Sequence, residues 1–294
     1  MKWRDRRRSS NVDDRRRRGG SSMARIPASG KIGIPALLAI LALVFFGGGG
    51  SGDSLDDILG QLNGAQPQTP TQNDPALEAA PDPDADLAAF LGVVLGSTED
   101  LWATIFGNAG QQYRPAPLVL FSGVTQSACG GANSQVGPHY CPLDQTIYID
   151  LGFFGDLAAR FQAPGDFAQA YVLAHEVGHH VQNLLGISDQ VRQLQQSNPS
   201  DANELSVRLE LQADCFAGIW AYSEFTQDFL ERGDLEEAIG AAEAVGDDRI
   251  QEMSTGMINP ETWTHGSSEQ RIEWFRAGFD SGDPNVCDTF GNDF

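Results

Sequence analysis

The sequence predicts an α+β fold, mostly helical, with a few short strands. Three observations carry that expectation. Five segments place apolar residues at helical spacing. Only two segments, 117–121 and 146–151, are short and rich in Val, Ile, Tyr and Leu as strands are. With 294 residues, 41% of them hydrophobic, the chain has room for one sizeable domain, or two small ones, plus tails.

The N-terminal region reads as separate from that body. The net charge of −21 hides an asymmetry: residues 1–31 hold eleven Lys or Arg against three Asp, whereas residues 32–294 hold eight Arg, no Lys and 37 acids. A body this acidic lacks the basic face that phosphates require, which argues against a nucleic-acid partner. Residues 32–52 carry no charge and begin IGIPALLAILALVFF; these 21 residues are long enough to cross a bilayer. A cleaved signal peptide fits less well, because the basic segment is long and no A-x-A-like site follows the apolar run. The expectation is a single-pass anchor over 32–52. The basic arm, 1–31, would lie in the cytoplasm and the body outside the cytoplasmic membrane, in the periplasm or beyond. Residues 53–84, dominated by Gly, Ser, Pro, Gln, Asp and Ala, read as a flexible acidic, Pro-rich spacer.

The body occupies 85–294. Leu87, Phe90, Leu91, Val94, Leu101 and Ile105 mark a helix over 85–106, with a break expected near Gly96 and Ser97. A helix over 168–185 is stopped by Gly186, a second long helix spans 201–230, and a third spans 235–245. Ser267 and Gln270 form a capping-box pattern ahead of a helix over 268–279.

The chemistry lies in His175-Glu176-Val177-Gly178-His179, an H-E-x-x-H pattern on a predicted helix. Histidines four apart share one helical face, so both imidazoles can reach one ion. Zinc takes neutral imidazole well and keeps an open position when three protein ligands bind. Glu176 lies about 100° round the helix, placed to accept a proton from an attacking water without binding the metal. Burying two histidines and a glutamate in so apolar a helix is costly unless they are paired or metal-bound. A third ligand is needed. The G-x-x-H extension is excluded, because Gln182 and Leu185 stand at those positions. Glu210 and Asp214, four apart on the next long helix beside small residues Ala213, Ala217, Gly218 and Ala221, offer the alternative. Glu210 is read as the third ligand and Asp214 as the acceptor that fixes a ligand histidine's ring. The bland alternative pairs Glu210 with Arg208 or Arg271. His180 and His139 read as a packing and a loop histidine. His265, just before the last helix, is a candidate for stabilising a tetrahedral oxyanion, or simply part of a helix-entry turn.

Several stretches together resemble the bacterial membrane-anchored neutral zinc metallopeptidase family. They are MKWRDRRRSSNVDDRR at the start, Ala128-Cys-Gly, Gly-Pro-His-Tyr-Cys-Pro at 137–142, IYIDLGFF at 147–154, HEVGHHVQN, RLELQADCFAG, THGSSEQRIEWF and the terminal Cys287-Asp-Thr-Phe290. The resemblance covers nearly everything except the spacer. It implies a zinc-dependent peptidase on a zincin-like domain with a glutamate third ligand, acting on peptide or protein substrates.

Four cysteines, Cys129, Cys141, Cys215 and Cys287, in an extracytoplasmic body favour two disulfides. Three connectivities exist; local spacing favours Cys129–Cys141 and leaves Cys215–Cys287. Free thiols and a Cys129–His139–Cys141 zinc site are the competing readings. The segment 146–151 is the expected substrate platform, an edge strand pairing with the peptide backbone, with Tyr148 and Asp150 lining the cleft. A non-catalytic, membrane-tethered interaction protein on the same scaffold is the alternative to a peptidase.

Overall fold

The structure is a computed structural model and describes residues 1–16, 81–133 and 137–291. The expected anchor over 32–52 and nearly all of the spacer over 53–84 lie outside the described residues. Of the described residues, 1–15 and 83–291 belong to the first of two units.

Along the first unit run β1 (Val12–Asp14), α1 (Ala85–Asn108), β2 (Leu118–Phe121), β3 (Val124–Ser127), β4 (Gly130–Asn133), β5 (His139–Cys141) and β6 (Thr146–Asp150). Then come α2 (Gly152–Ala159), α3 (Asp166–Leu184), α4 (Ile187–Ser197), α5 (Ala202–Thr226), α6 (Asp234–Ala244), α7 (Asp247–Thr255) and α8 (Ser268–Ser281). The fold is α+β and mostly helical, as the periodicity implies. The main sheet has the order β1-β2-β6-β5. β1, β2 and β6 are parallel, and β5 closes one edge antiparallel to β6, with His139 opposite Tyr148. β2 and β6 are buried at every position, the pattern of strands covered on both faces. β3 and β4 form a separate hairpin, joined to β5 through the Cys129–Cys141 disulfide.

Helix α3 is the hub, packed against α1, α5 and α6, while α5 packs along α8. Glycines permit the closest approaches. A Cβ on Gly178 would lie 3.0 Å from the Ala213 backbone, bringing α3 onto α5, and a Cβ on Gly278 would lie 2.0 Å from the Cys215 carbonyl, bringing α8 onto α5. The Phe167, Trp220, Tyr171 and Phe275 rings fill the space between these helices.

Three expectations are corrected. First, α1 does not break near Gly96. The buried Ser97 hydroxyl donates to the Val94 carbonyl and accepts from the Trp220 indole, so tertiary contacts carry the helix through. By length and composition α1 could cross a membrane, yet 67% of its most apolar window is buried inside the protein, as in a core helix.

Second, residues 1–15 are not a separate arm. β1 extends the sheet beyond β2. Arg6 forms a two-pronged pair with the buried Glu224, and Arg7, Ser9 and Asn11 converge on Glu99. The Met1 ammonium sits 2.9 Å from Asp166. The acidic body draws its missing cations from this segment.

Third, segment 146–151 is not an edge. β6 lies between β2 and β5, and the edge strand is β5, where a histidine loop was expected. Phe153 and Phe154, just after it, belong to α2.

Candidate metal centre and active site

The apolar stripe of α3 fixes its burial, and that places the histidine pair on α5. Tyr171, Val177 and Val181 are buried in the core around the motif. His175 Nε2 lies 3.2 Å from Glu210 Oε2, and His179 Nε2 lies 3.4 Å from Glu210 Oε1. One ligand atom from each of the three lies within 4.8 Å of the others. Two imidazoles and a carboxylate are the donor set of a zinc site with an open position, and both imidazoles turn Nε2 inward because the other nitrogen is engaged. His175 Nδ1 is 2.8 Å from Asp214 Oδ1, and His179 Nδ1 is 2.9 Å from Gln182 Oε1. The residues present therefore fit a zinc ion. The competing pairing of Glu210 with an arginine does not occur: Arg208 pairs with Glu204, and Arg271 with Asp214.

Asp214, fully buried, is the anchor behind this centre. It takes hydrogen bonds from Tyr171 Oη at 2.5 Å, from Arg271 Nη2 at 3.0 Å and Nε at 2.9 Å, and from His175. Burial would raise its pKa, but Arg271 and His175 outweigh that and hold the carboxyl below its usual range. Burial disfavours a charged His175, yet Asp214 and Glu210 dominate and raise its pKa to about 10 in the metal-free chain.

Glu176 is buried next to His175, on the neighbouring face of α3. His265 precedes the capping box that starts α8, which is present as expected. Its Nδ1 lies 3.2 Å from Asp247 Oδ1, and Asp247 also accepts the backbone N–H of Thr264, His265 and Gly266. Burial lowers the His265 pKa, while the Asp247 hydrogen bond and the Glu210 charge raise it further, so the net shift is upward. The influence of Glu210 puts His265 within electrostatic reach of the centre.

Tyr148 and Asp150 are hydrogen-bonded within the fold. The Tyr148 hydroxyl donates to Asp144, and Asp150 accepts the backbone N–H of Gly123 and Gly152. His180 packs as expected, with Nε2 on the Arg114 carbonyl at 2.6 Å and Nδ1 3.0 Å from the Tyr140 hydroxyl. Asn183 also donates to Tyr140, so the edge strand β5 is fastened to the histidine helix. The cysteines form Cys129–Cys141 and Cys215–Cys287, which removes the free-thiol and Cys129–His139–Cys141 metal readings. A second acidic group, Asp166, Asp234 and Glu237, could hold a cation by spacing, but Asp166 and Asp234 hold the Met1 ammonium.

Sequence reasoning missed Gln182, Arg271, Tyr171 and Asp247 as parts of the site. A signal existed for Gln182, which lies three residues after His179 on the same helical face. None existed for Asp247, whose role depends on how α7 docks.

A histidine pair on one helix, buried at His175 and half-buried at His179, a glutamate from the next and an aspartate behind them make up a donor set of the metallohydrolase type. Residues 1–290 match the family described as "Putative neutral zinc metallopeptidase", and the chain belongs to that family. Among relatives, the uncharacterized protein YpfJ of Escherichia coli strain K12 is 48% identical over 297 residues, covering 99% of both chains. The uncharacterized protein Rv2575 of Mycobacterium tuberculosis strain H37Rv is 50% identical over 189 residues, 60% of this chain and 63% of its own. No solved structure matches this chain.

Proposed function

We propose that the chain is a zinc-dependent peptidase that hydrolyses peptide bonds, with His175, His179 and Glu210 as the metal's protein ligands. The observation that carries the reading is the convergence of both Nε2 atoms on the two Glu210 oxygens, inside a family of zinc metallopeptidases. Zinc held there would supply Lewis-acid activation of the water nucleophile and the scissile carbonyl. Glu176 accepts the proton of the attacking water at its carboxylate and passes it to the leaving amine. His265, held at Nδ1 by Asp247, is the group that would stabilise the developing oxyanion when its ring is protonated. The free edge of β5, rather than β6, offers backbone groups to an extended peptide, because β5 ends the sheet and is bonded through Tyr140 to the histidine helix.

Glu176→Gln tests the division of labour. The variant keeps size but cannot take the proton, so zinc should stay near one equivalent while peptide hydrolysis falls by at least about 10² to 10⁴-fold. His175→Ala, His179→Ala and Glu210→Ala should lose zinc as well. If Glu176→Gln loses zinc as fully as His175→Ala, Glu176 is not the base. If Glu210→Ala keeps zinc and activity, the third ligand lies elsewhere. A wild-type chain that takes up zinc yet cleaves nothing in a peptide library would favour a binding scaffold instead.

A further inference from the structure

The two histidines of the centre are supported differently. His175 faces the charged Asp214, whereas His179 faces an uncharged amide, Gln182 Oε1, 2.9 Å from Nδ1. Gln182 is fully buried one turn further along α3. Its orientation is fixed by what surrounds its nitrogen. Nε2 donates to the Leu209 carbonyl at 2.6 Å and to Gln212 Oε1 at 3.1 Å. Turning the amide over would set its oxygen against two oxygens, so Oε1 must face His179. Gln212 is fixed by the same logic, since its Nε2 donates to the Cys287 carbonyl at 2.8 Å. Cys287 is in turn bridged to Cys215 on α5. Leu209 directly precedes Glu210, so one amide touches a histidine of the centre and the backbone beside its carboxylate.

We propose that Gln182 is a positioning residue of the metal centre: it accepts the Nδ1–H of His179, leaving the Nε2 lone pair for the metal, and is held in that orientation by Gln212 and the Cys287 carbonyl. The proposal rests on reading His175, His179 and Glu210 as a zinc site. A metal-bound imidazole must carry its proton on the other nitrogen, and an acceptor there fixes tautomer and ring angle. An amide does this without adding a further buried negative charge beside Glu210 and Asp214. The C-terminal segment reaching Cys287 thereby becomes part of the support for the centre.

The test uses the full chain with Gln182→Met, which keeps length and apolar bulk but offers no oxygen. Zinc affinity is measured by chelator competition, and the His179 ring by ¹⁵N–¹H spectra of the zinc-loaded protein. The expected result is a roughly 10- to 100-fold loss of zinc affinity, with the exchange-protected Nδ1–H resonance of His179 lost. A purely structural role would leave that resonance in place. Should Gln182→Met not fold, Gln212→Met carries the test with the same signs and a smaller loss, because it removes one of the two oxygens that hold the Gln182 amide while the Leu209 carbonyl remains. Zinc affinity and Nδ1–H protection equal to wild type would overturn the proposal alone. A wild-type chain that takes up no zinc would overturn the metal-centre reading and this proposal with it.

Discussion

Asp214→Asn strikes the anchor of the site. The carboxylate is fully buried and takes four hydrogen bonds, three at Oδ1 from His175, Tyr171 and Arg271 and one at Oδ2 from Arg271. Asparagine keeps the shape but must place an NH₂ on one side. Its better orientation keeps oxygen at the three-donor position and turns the NH₂ against Arg271 Nε–H. The buried guanidinium then loses its counter-charge. Breaking a buried pair from one side costs about 3–5 kcal/mol. For a domain of roughly 150–250 residues each kcal/mol moves the midpoint by about 2–4 °C, so the metal-free melting temperature should fall by roughly 6–20 °C. Loss of the charged acceptor behind His175 should also weaken zinc binding by roughly 10- to 100-fold. Calorimetric melting of the metal-free chain and chelator competition measure the two effects. A midpoint within about 2 °C of wild type, with zinc affinity unchanged, would refute the reasoning that Asp214 both balances Arg271 and orients His175.

Other perturbations read other parts of the structure. In the metal-free chain the His175 pKa is raised from 6.5 to about 10. Its stabilising contribution is therefore full below pH 6.5 and is lost as pH rises toward 10. Melts between pH 6 and 10 should show that decline, and zinc uptake at pH 7 should release a proton, seen as a buffer-dependent heat of binding. Gly278→Ala sets a Cβ 2.0 Å from the Cys215 carbonyl and should cost about 1–3 kcal/mol or more as α5 and α8 are pushed apart. Denaturant unfolding reads that loss, and a neutral result would mean that the helices are not closely packed there. Arg6→Ala leaves Glu224, 1% exposed, without its cation and should cost about 3–5 kcal/mol in the same assay. A change under about 0.5 kcal/mol would place residues 1–15 outside the folded unit.

Local chemistry in this chain was readable where it repeats along one helix. The H-E-x-x-H spacing, the Glu210–Asp214 pair and the Ser267–Gln270 cap each depend on 3.6-residue periodicity, and each shows the expected geometry. Order within the sheet was not readable. β6 has the composition of a buried strand, and nothing in its residues announces that β5, three residues long, lies outside it. β1 reads Val-Asp-Asp, too short and polar for a strand pattern, and forms because the edge of β2 and the acids Glu99 and Glu224 are waiting for it. The break expected at Gly96 failed for the same reason. A propensity signal gave way to contacts made by residues far off in sequence.

The docking of β1 also sets an order of events during synthesis. Arg6 and Glu224 are 218 residues apart. At about 5–20 residues per second, roughly 10–45 s separate the emergence of the two partners from the ribosome. Throughout that interval residues 1–15 have no place to dock, and the uncharged stretch 32–52 follows close behind them. Were that stretch to pass through a bilayer while residues 1–15 stayed behind, the edge of β2 and the buried Glu99 and Glu224 would be stranded.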